Sequence, residues 1–235
     1  MNKIVADADQ AVSRVAEGAT ILVGGFGVCG LPENLLAALR ANGVRNLTFV
    51  SNNAGLDEFG IGPLIRNGQV KKMIMSYGGE CKAFEEMALD GRIQVEWNPQ
   101  GTLAERLRAG GAGIAGFYTP TGYGTPVADG KETRQFDGRW HVFERGLKAD
   151  FALIKAWKGD GLGNLQYRKT ARNFNQVMAT AAHYVIAEVE SLVDIGEIPP
   201  DQVHTPGIYI DMILQGKKYV KPIERLTVRK AAAHA

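Results

Sequence analysis

The chain has 235 residues, 45% of them hydrophobic and 22% charged, with a formal net charge of +2. That length is ample for a sizeable core. Acids and bases are interspersed, and no Lys/Arg stripe with interleaved aromatics exists, which speaks against a nucleic-acid surface.

No apolar run approaches the ~20 residues of a membrane span. The first residues, Met-Asn-Lys-Ile-Val-Ala-Asp, match neither a signal peptide nor an Arg-rich transit peptide. Cys29 and Cys81 have neither zinc spacing nor the look of a disulfide framework. The histidines, His141, His183, His204 and His234, show no ligand pattern. The expectation is a cytoplasmic protein of a reducing compartment, with no metal, no membrane contact and no nucleic acid.

Residues 6–17 read as an amphipathic helix with Ala11, Val12 and Val15 on one face and Asp7 or Asp9 as cap, ended by Gly18. Ile21 to Val23 is a buried strand. Gly24, Gly25, Gly27 and Gly30 make a glycine-rich turn, and a helix opens at Pro32, where a missing N–H is tolerated. Free N–H groups at that helix start predict a local anion site. The plainer reading is a tight corner between strand and helix. Asn42-Gly43 stops the helix.

A second strand, Leu47-Thr-Phe-Val50, ends in the polar loop Ser51-Asn-Asn-Ala-Gly55. A short helix over 60–67 and a strand over 70–75 lead to Ser76-Tyr-Gly-Gly-Glu80. A helix over 82–89, a strand over 93–97, the loop Asn98-Pro-Gln-Gly-Thr102 and a helix over 103–108 follow. This alternation predicts an α/β fold: an open, mostly parallel, doubly wound sheet.

Residues 117–125 read as an aromatic and hydroxyl-rich loop. Residues 131–144 read as an inserted polar β-hairpin, with Asp137-Gly138 as a type I′ turn. A buried strand over 149–157, a loop and short strand over 159–167, a helix over 170–181 and a core strand over 184–189 complete the pattern. Residues 203–209 read as a loop or edge segment. Residues 1–228 are expected to form one domain and 229–235 a frayed tail.

Gly25-x-Gly27-x-x-Gly30 matches the dinucleotide fingerprint literally, a weak signal alone. The second strand ends in Ser51-Asn52-Asn53, without the acid that binds ribose, which counts against NAD. No Walker pattern is present, so a phosphate- or thioester-binding loop remains. Asn52, Asn53 and Gln100 are either ligand donors or residues of solvated turns. Polar loops at successive strand ends favour a site along one edge of the sheet.

Nucleophiles are less evident. Glu80 reads more readily as a helix-dipole partner than as a catalytic acid. Glu105 and Arg106 fit a surface pair. Cys29 lies near a helix start but lacks an identifiable base, and Ser76 lacks a nucleophile elbow.

Several stretches together carry a resemblance: Gly24-Gly-Phe-Gly-x-x-Gly30-x-Pro32-Glu-Asn, Ser51-Asn-Asn-Ala-Gly55, Pro99-Gln-Gly-Thr-Leu-Ala-Glu-Arg106, Ala109-Gly-Gly-Ala-Gly113, Phe117-Tyr-Thr-Pro-Thr-Gly-Tyr-Gly-Thr125, Lys155-Ala-Trp157 and Ala171-Arg-Asn-Phe-Asn175. From about Val5 to Val228 the chain resembles the A subunits of family I CoA-transferases of the succinyl-CoA:3-oxoacid type. The resemblance implies CoA transfer from succinyl-CoA to a 3-oxoacid such as acetoacetate, with CoA as substrate and no cofactor.

It also implies a partner, the CoA-transferase B subunit, in a heterodimer or heterotetramer. That partner would carry the nucleophilic glutamate, so no catalytic nucleophile is expected in this chain. By motif position, Gly24, Gly25, Phe26, Gly27, Val28, Cys29 and Gly30 correspond to a CoA-binding loop. Gln100 corresponds to a residue facing the acyl group, with Asn52 and Asn53 bordering the same cleft. A secondary reading has the glycine loop shape the acyl pocket or pack against the partner. Relatives acting on acetate–acetoacetate or 3-oxoadipate, and an NAD-binding or metabolite-sensing module, are the competing readings.

Overall fold

The computed structural model describes residues 2–223. The tail over 229–235 lies outside them. In chain order the elements are α1 (Ala8–Val12), β1 (Thr20–Val23), α2 (Glu33–Asn42), β2 (Leu47–Val50), α3 (Gly62–Arg66), β3 (Val70–Met75), α4 (Lys82–Leu89), β4 (Gln94–Trp97) and α5 (Gln100–Gly111). There follow β5 (Gly116–Thr119), β6 (Thr133–Phe136), β7 (Arg139–Arg145), β8 (Ala149–Asp160), β9 (Leu165–Gln166), α6 (Asn173–Met178), β10 (Ala182–Val193) and β11 (Met212–Gln215).

The main sheet runs β11-β10-β8-β1-β2-β3-β4, with every neighbouring pair on that path parallel. From β1 the chain winds outward to β4, then returns to β8 and winds the other way. The direction of winding therefore reverses between β1 and β8, the kind of crevice where open α/β sheets bind ligands. Strand residues alternate between the two faces. Ile21 and Val23 enter one core with α2, α3 and α4, whereas Leu22 enters a second core with α5 and α6. Helices thus cover both faces, as a doubly wound sheet requires.

The hairpin of β6 and β7 turns at Asp137 (φ 47°) and Gly138 (φ 76°), the paired positive dihedrals of a type I′ turn. β5 adds a third strand, so the loop expected over 117–125 begins instead as a strand, with Tyr118 packed on Phe136 and Phe143. β11 lies in a stretch to which the sequence pattern assigns no element.

Two helices are shorter than their apolar spacing predicts. Asp7 does cap α1, accepting from the Gln10 N–H, but the helix ends at Val12. The helix expected over 170–181 divides into a 3-10 turn, Lys169–Arg172, and α6. The Asn175 side chain takes the Ala171 carbonyl, which an unbroken helical ladder would use. Among the described residues no helix is long and apolar enough to cross a membrane.

Candidate functional site

The glycine loop after β1 is a tight, braced turn. Phe26 and Cys29 exchange both backbone hydrogen bonds at 3.0 Å. Gly25 holds φ at 122°, outside the range of most L-residues. Gly24 is glycine for a different reason: a Cβ there would stand 1.9 Å from Asn175 Oδ1.

Asn175 itself is fully buried. Its Oδ1 accepts from the Lys155 N–H at 2.8 Å, and its Nδ2 donates to the Gly30 carbonyl at 3.0 Å and to Ala171 O at 2.9 Å. From α6, this one side chain therefore ties the end of the glycine loop to β8 and packs against the loop's first residue, Gly24. The Ala171-Arg-Asn-Phe-Asn175 stretch carries part of the resemblance, but no role for Asn175 follows from its sequence. Each polar group there suits either solvent or backbone, so the sequence alone holds no signal of burial.

Asn52 and Asn53 are not solvated turn residues; they are 4% and 5% exposed. Asn52 Oδ1 accepts from the Gly27 N–H at 2.8 Å, and Asn53 Oδ1 from the Gly55 N–H at 3.0 Å. The Asn52 carbonyl also receives the Ser76 and Tyr77 N–H groups. The loops after β1, β2 and β3 are thereby tied together along one edge of the sheet.

A cavity of about 430 Å³ opens beside the reversal, lined by Phe26, Cys29, Gly30, Lys155, Trp157 and Lys169 among others. Val28 also lines it, whereas Gly24, Gly25 and Gly27 are buried within the loop. Lys155 Nζ lies 3.0 Å from Glu190 and 4.1 Å from the centre of the Tyr219 ring. Burial works against ionisation of Glu190, but hydrogen bonds from Lys221 and Lys155 hold its carboxyl below the usual range.

Cys29 is exposed, with Sγ 3.5 Å from Thr170 Oγ1. Cys81 is buried, and burial pushes its thiol up to about 11, which removes it as a nucleophile at neutral pH.

The open anion site expected at the start of α2 is occupied by the chain itself. Glu188 reaches from β10 and accepts from the Leu35 N–H and from Asn34 Nδ2, each at 2.8 Å. Glu33 accepts from the Val220 and Lys221 N–H groups. An acid inside the apolar run 184–189 was the available signal, because a buried charge needs partners. At α4 the dipole partner is Asp57, which accepts from the Ala83 N–H at 2.9 Å. Glu80 instead sits two residues before the helix with φ at 75°.

The expected pair of Glu105 with Arg106 does not form: these neighbours point apart, and Glu105 pairs with Arg108 one turn on. Arg106 bonds Glu96, Asn98 and the Arg145 carbonyl, fixing α5 to β4 and β7. Lys72 completes this network at 2.6 Å from Glu96. Burial alone would raise the Glu96 pKa, but hydrogen bonds from Lys72 and Arg106 carry it down to about 2 from 4.5.

A carboxylate depressed on folding adds stability above its unfolded pKa and loses it as pH falls through the folded value. Glu96→Gln is therefore expected to flatten the stability profile between pH 4.5 and 2. Its side chain is 35% exposed and screened by solvent, so the cost at neutral pH is about 1 kcal/mol. Denaturant melts across pH check both; an unchanged acid limb would remove the network's role.

Gln100 begins α5, directly after the β4 loop. Its side-chain nitrogen and oxygen and the Ser76 hydroxyl are buried, and none finds a hydrogen-bond partner among the described residues. Buried polar atoms are seldom left so, and unlike Asn52 and Asn53 these are not committed to the fold. Gln100, Ser76, Asn52 and Asn53 do not line the cavity at the glycine loop, so the candidate residues fall in two places: the loop at the cavity, and the uncommitted amide and hydroxyl at the β4 and β3 ends.

Comparison with known proteins bears on the family and the fold. The family model described as coenzyme A transferase matches residues 5–216. The A subunit of the succinyl-CoA:3-ketoacid coenzyme A transferase of Xanthomonas campestris is 58% identical over 97% of this chain and 95% of its own length. The rat mitochondrial succinyl-CoA:3-ketoacid coenzyme A transferase 2A is 45% identical, and this chain spans 47% of it. The solved structure of an acyl-CoA transferase, YdiF, from Escherichia coli O157:H7 superposes with a TM-score of 0.83 at 25% identity, over 92% of this chain and 47% of that one. The motifs, the doubly wound sheet and these matches agree: the chain belongs to the coenzyme A transferase family.

Proposed function

We propose that this chain is one half of a two-subunit CoA-transferase, the A subunit, that moves CoA from succinyl-CoA to a 3-oxoacid. The observation that carries the reading is the near-full-length identity to the Xanthomonas protein. The same segment occupies about half of the longer rat protein, which supports a second chain completing the enzyme.

In the expected reaction a glutamate of that second chain attacks the thioester carbonyl, giving a mixed anhydride and CoA thiolate. The thiolate then attacks the enzyme-bound carbonyl, releasing succinate and leaving a glutamyl-CoA thioester. The acceptor carboxylate takes the acyl position in turn, and the sequence reverses. CoA is substrate, and no cofactor is needed.

The acids of this chain near the cavity support a nucleophile supplied from outside. Glu188 and Glu33 receive backbone N–H groups, and Glu190 is held by two lysines. The chain's part would be to present preorganised neutral donors to developing charge and to position the thioester.

The test is reconstitution with a CoA-transferase B subunit, following acetoacetyl-CoA formation from succinyl-CoA and acetoacetate. Activity is expected only in the mixture. Robust activity from this chain alone would place the nucleophile here and overturn the division of labour. Preference for acetyl-CoA or 3-oxoadipate would move the assignment to a relative with other substrates.

A further inference from the structure

Ser76 and Gln100 follow the ends of neighbouring strands, β3 and β4. Met75 and Trp97 pair in register across β3 and β4, and the Asn98 N–H donates to Met75 O at 2.9 Å. Ser76 and the start of α5 therefore follow adjacent strand ends, which lie ~4.8 Å apart in a sheet. The other polar groups there are committed: Asn98 bonds Arg106 and Glu96 O, and the Ser76 N–H goes to Asn52 O. Among the described residues, the buried side-chain polar atoms left without a partner are both ends of one amide and one hydroxyl.

The inventory of these orphans restricts the ligand. A glutamine amide offers donors at nitrogen and an acceptor at oxygen, and a serine hydroxyl offers either. Both Gln100 atoms are unpartnered, so exchanging its oxygen and nitrogen leaves the count unchanged. A thioester carbonyl, a ketone or a carboxylate carries acceptors only. Any of these can take the Gln100 nitrogen, with the Ser76 hydroxyl then turned to the Gln100 oxygen, whereas a ligand that carries both an N–H and a C=O engages all three atoms directly. The pantetheine arm of CoA has two secondary amides, each with an N–H and a C=O, and either one matches the set.

We propose that Gln100 and Ser76 form a subsite for a secondary amide of the pantetheine arm, with the Gln100 oxygen accepting its N–H and the Gln100 nitrogen and Ser76 hydroxyl donating to its C=O. The proposal rests on the CoA-transferase reading. It gives Gln100 a role in holding the carrier, beside or in place of the acyl contact that motif position implies.

The experiment uses the reconstituted pair with natural succinyl-CoA and two analogues, each with one pantetheine amide replaced by an ester. The ester keeps the carbonyl and removes the N–H. One of the two is expected to lower kcat/KM of the wild type by about tenfold. In Gln100→Met natural succinyl-CoA is expected to lose about the same factor, and the ester then costs less than about twofold. Ser76→Ala is expected to give a smaller, few-fold loss with both thioesters. Gln100→Glu keeps an acceptor at the same place and should retain the ester penalty, which separates a ligand contact from damage to α5.

Equal use of both esters by the wild type, or a full ester penalty in Gln100→Met, would overturn the subsite while leaving CoA transfer intact. Failure of the wild-type pair to transfer CoA from natural succinyl-CoA would overturn the functional reading itself, and the subsite with it.

Discussion

Gly24→Ala is expected to lower the transferase activity of the reconstituted enzyme by roughly a hundredfold, the scale on which ångström-sized misplacement of a site acts. The added Cβ would lie 1.9 Å from Asn175 Oδ1 and 2.7 Å from Asn175 Cγ. Neither atom can retreat, because Asn175 is fully buried and holds Lys155, Gly30 and Ala171 at once. The strain must pass into the glycine loop or into β8, at a stability cost of about 1–3 kcal/mol.

Gly101→Ala supplies the contrast. Among the described residues, no atom beyond its chain neighbours and the adjacent helix backbone lies within 4 Å of a Cβ at that position, so the substitution should stabilise by up to ~1 kcal/mol. A thermodynamic cycle of Gly24→Ala with Asn175→Ala identifies the cause. If the clash is responsible, the two costs will not add, because the alanine at 175 removes the obstructing atoms. Strict additivity, or full activity in Gly24→Ala, would show that the loop is not set by this contact.

The fold was legible where periodicity and turn chemistry agree. Ile21, Leu22 and Val23 are apolar on both faces, as in a strand buried between helices, and Gly43 and Asp137-Gly138 supply the dihedrals their turns require. Where several weak preferences compete, the pattern misleads. The run 170–181 has helical spacing, yet Asn175 diverts a carbonyl from the ladder, and β11 has only four residues, Met212 to Gln215, to announce it.

The candidate site was legible as a set of strand-end loops, but not as a division between brace and contact. Asn52, Asn53 and Gln100 are chemically alike in sequence. In the structure the first two spend their oxygens on the Gly27 and Gly55 N–H groups, and Gln100 spends neither end of its amide. That difference arises from packing between segments such as Gly27 and Asn52, 25 residues apart, which no local pattern encodes.

The largest expected loss of stability follows from Glu188→Leu, about 2–4 kcal/mol, because the start of α2 would keep its buried donors and lose their acceptor. Pro32 provides no side-chain cap to α2. Both Glu188 oxygens take that place, one accepting from the Leu35 N–H and one from Asn34 Nδ2. For a domain of this size the loss corresponds to roughly 4–16 °C in Tm.

Burial pushes the Glu188 pKa above 4.5, against the hydrogen bonds from Asn34 and Leu35 that favour the charged form. The native state therefore keeps a proton that the unfolded chain has released, and stability falls as pH rises from 4.5 to the folded pKa. Glu188→Gln is neutral and retains one acceptor, for the Leu35 N–H, while the Asn34 nitrogen keeps the Lys218 carbonyl as an acceptor. It should stay within about 1 kcal/mol of the parent at pH 7 and lack that decline.

Denaturant melts of both variants from pH 4.5 upward separate shape from charge. A Glu188→Leu protein as stable as the parent would mean that α2 needs no acceptor there. Identical slopes for Glu188→Gln and the parent would mean that the carboxyl titrates as it does in the unfolded chain. Because α2 begins shortly after the glycine loop ends, loss of this cap is also expected to loosen Gly30 and Leu31. The activity of Glu188→Leu should then fall at temperatures below its melting transition.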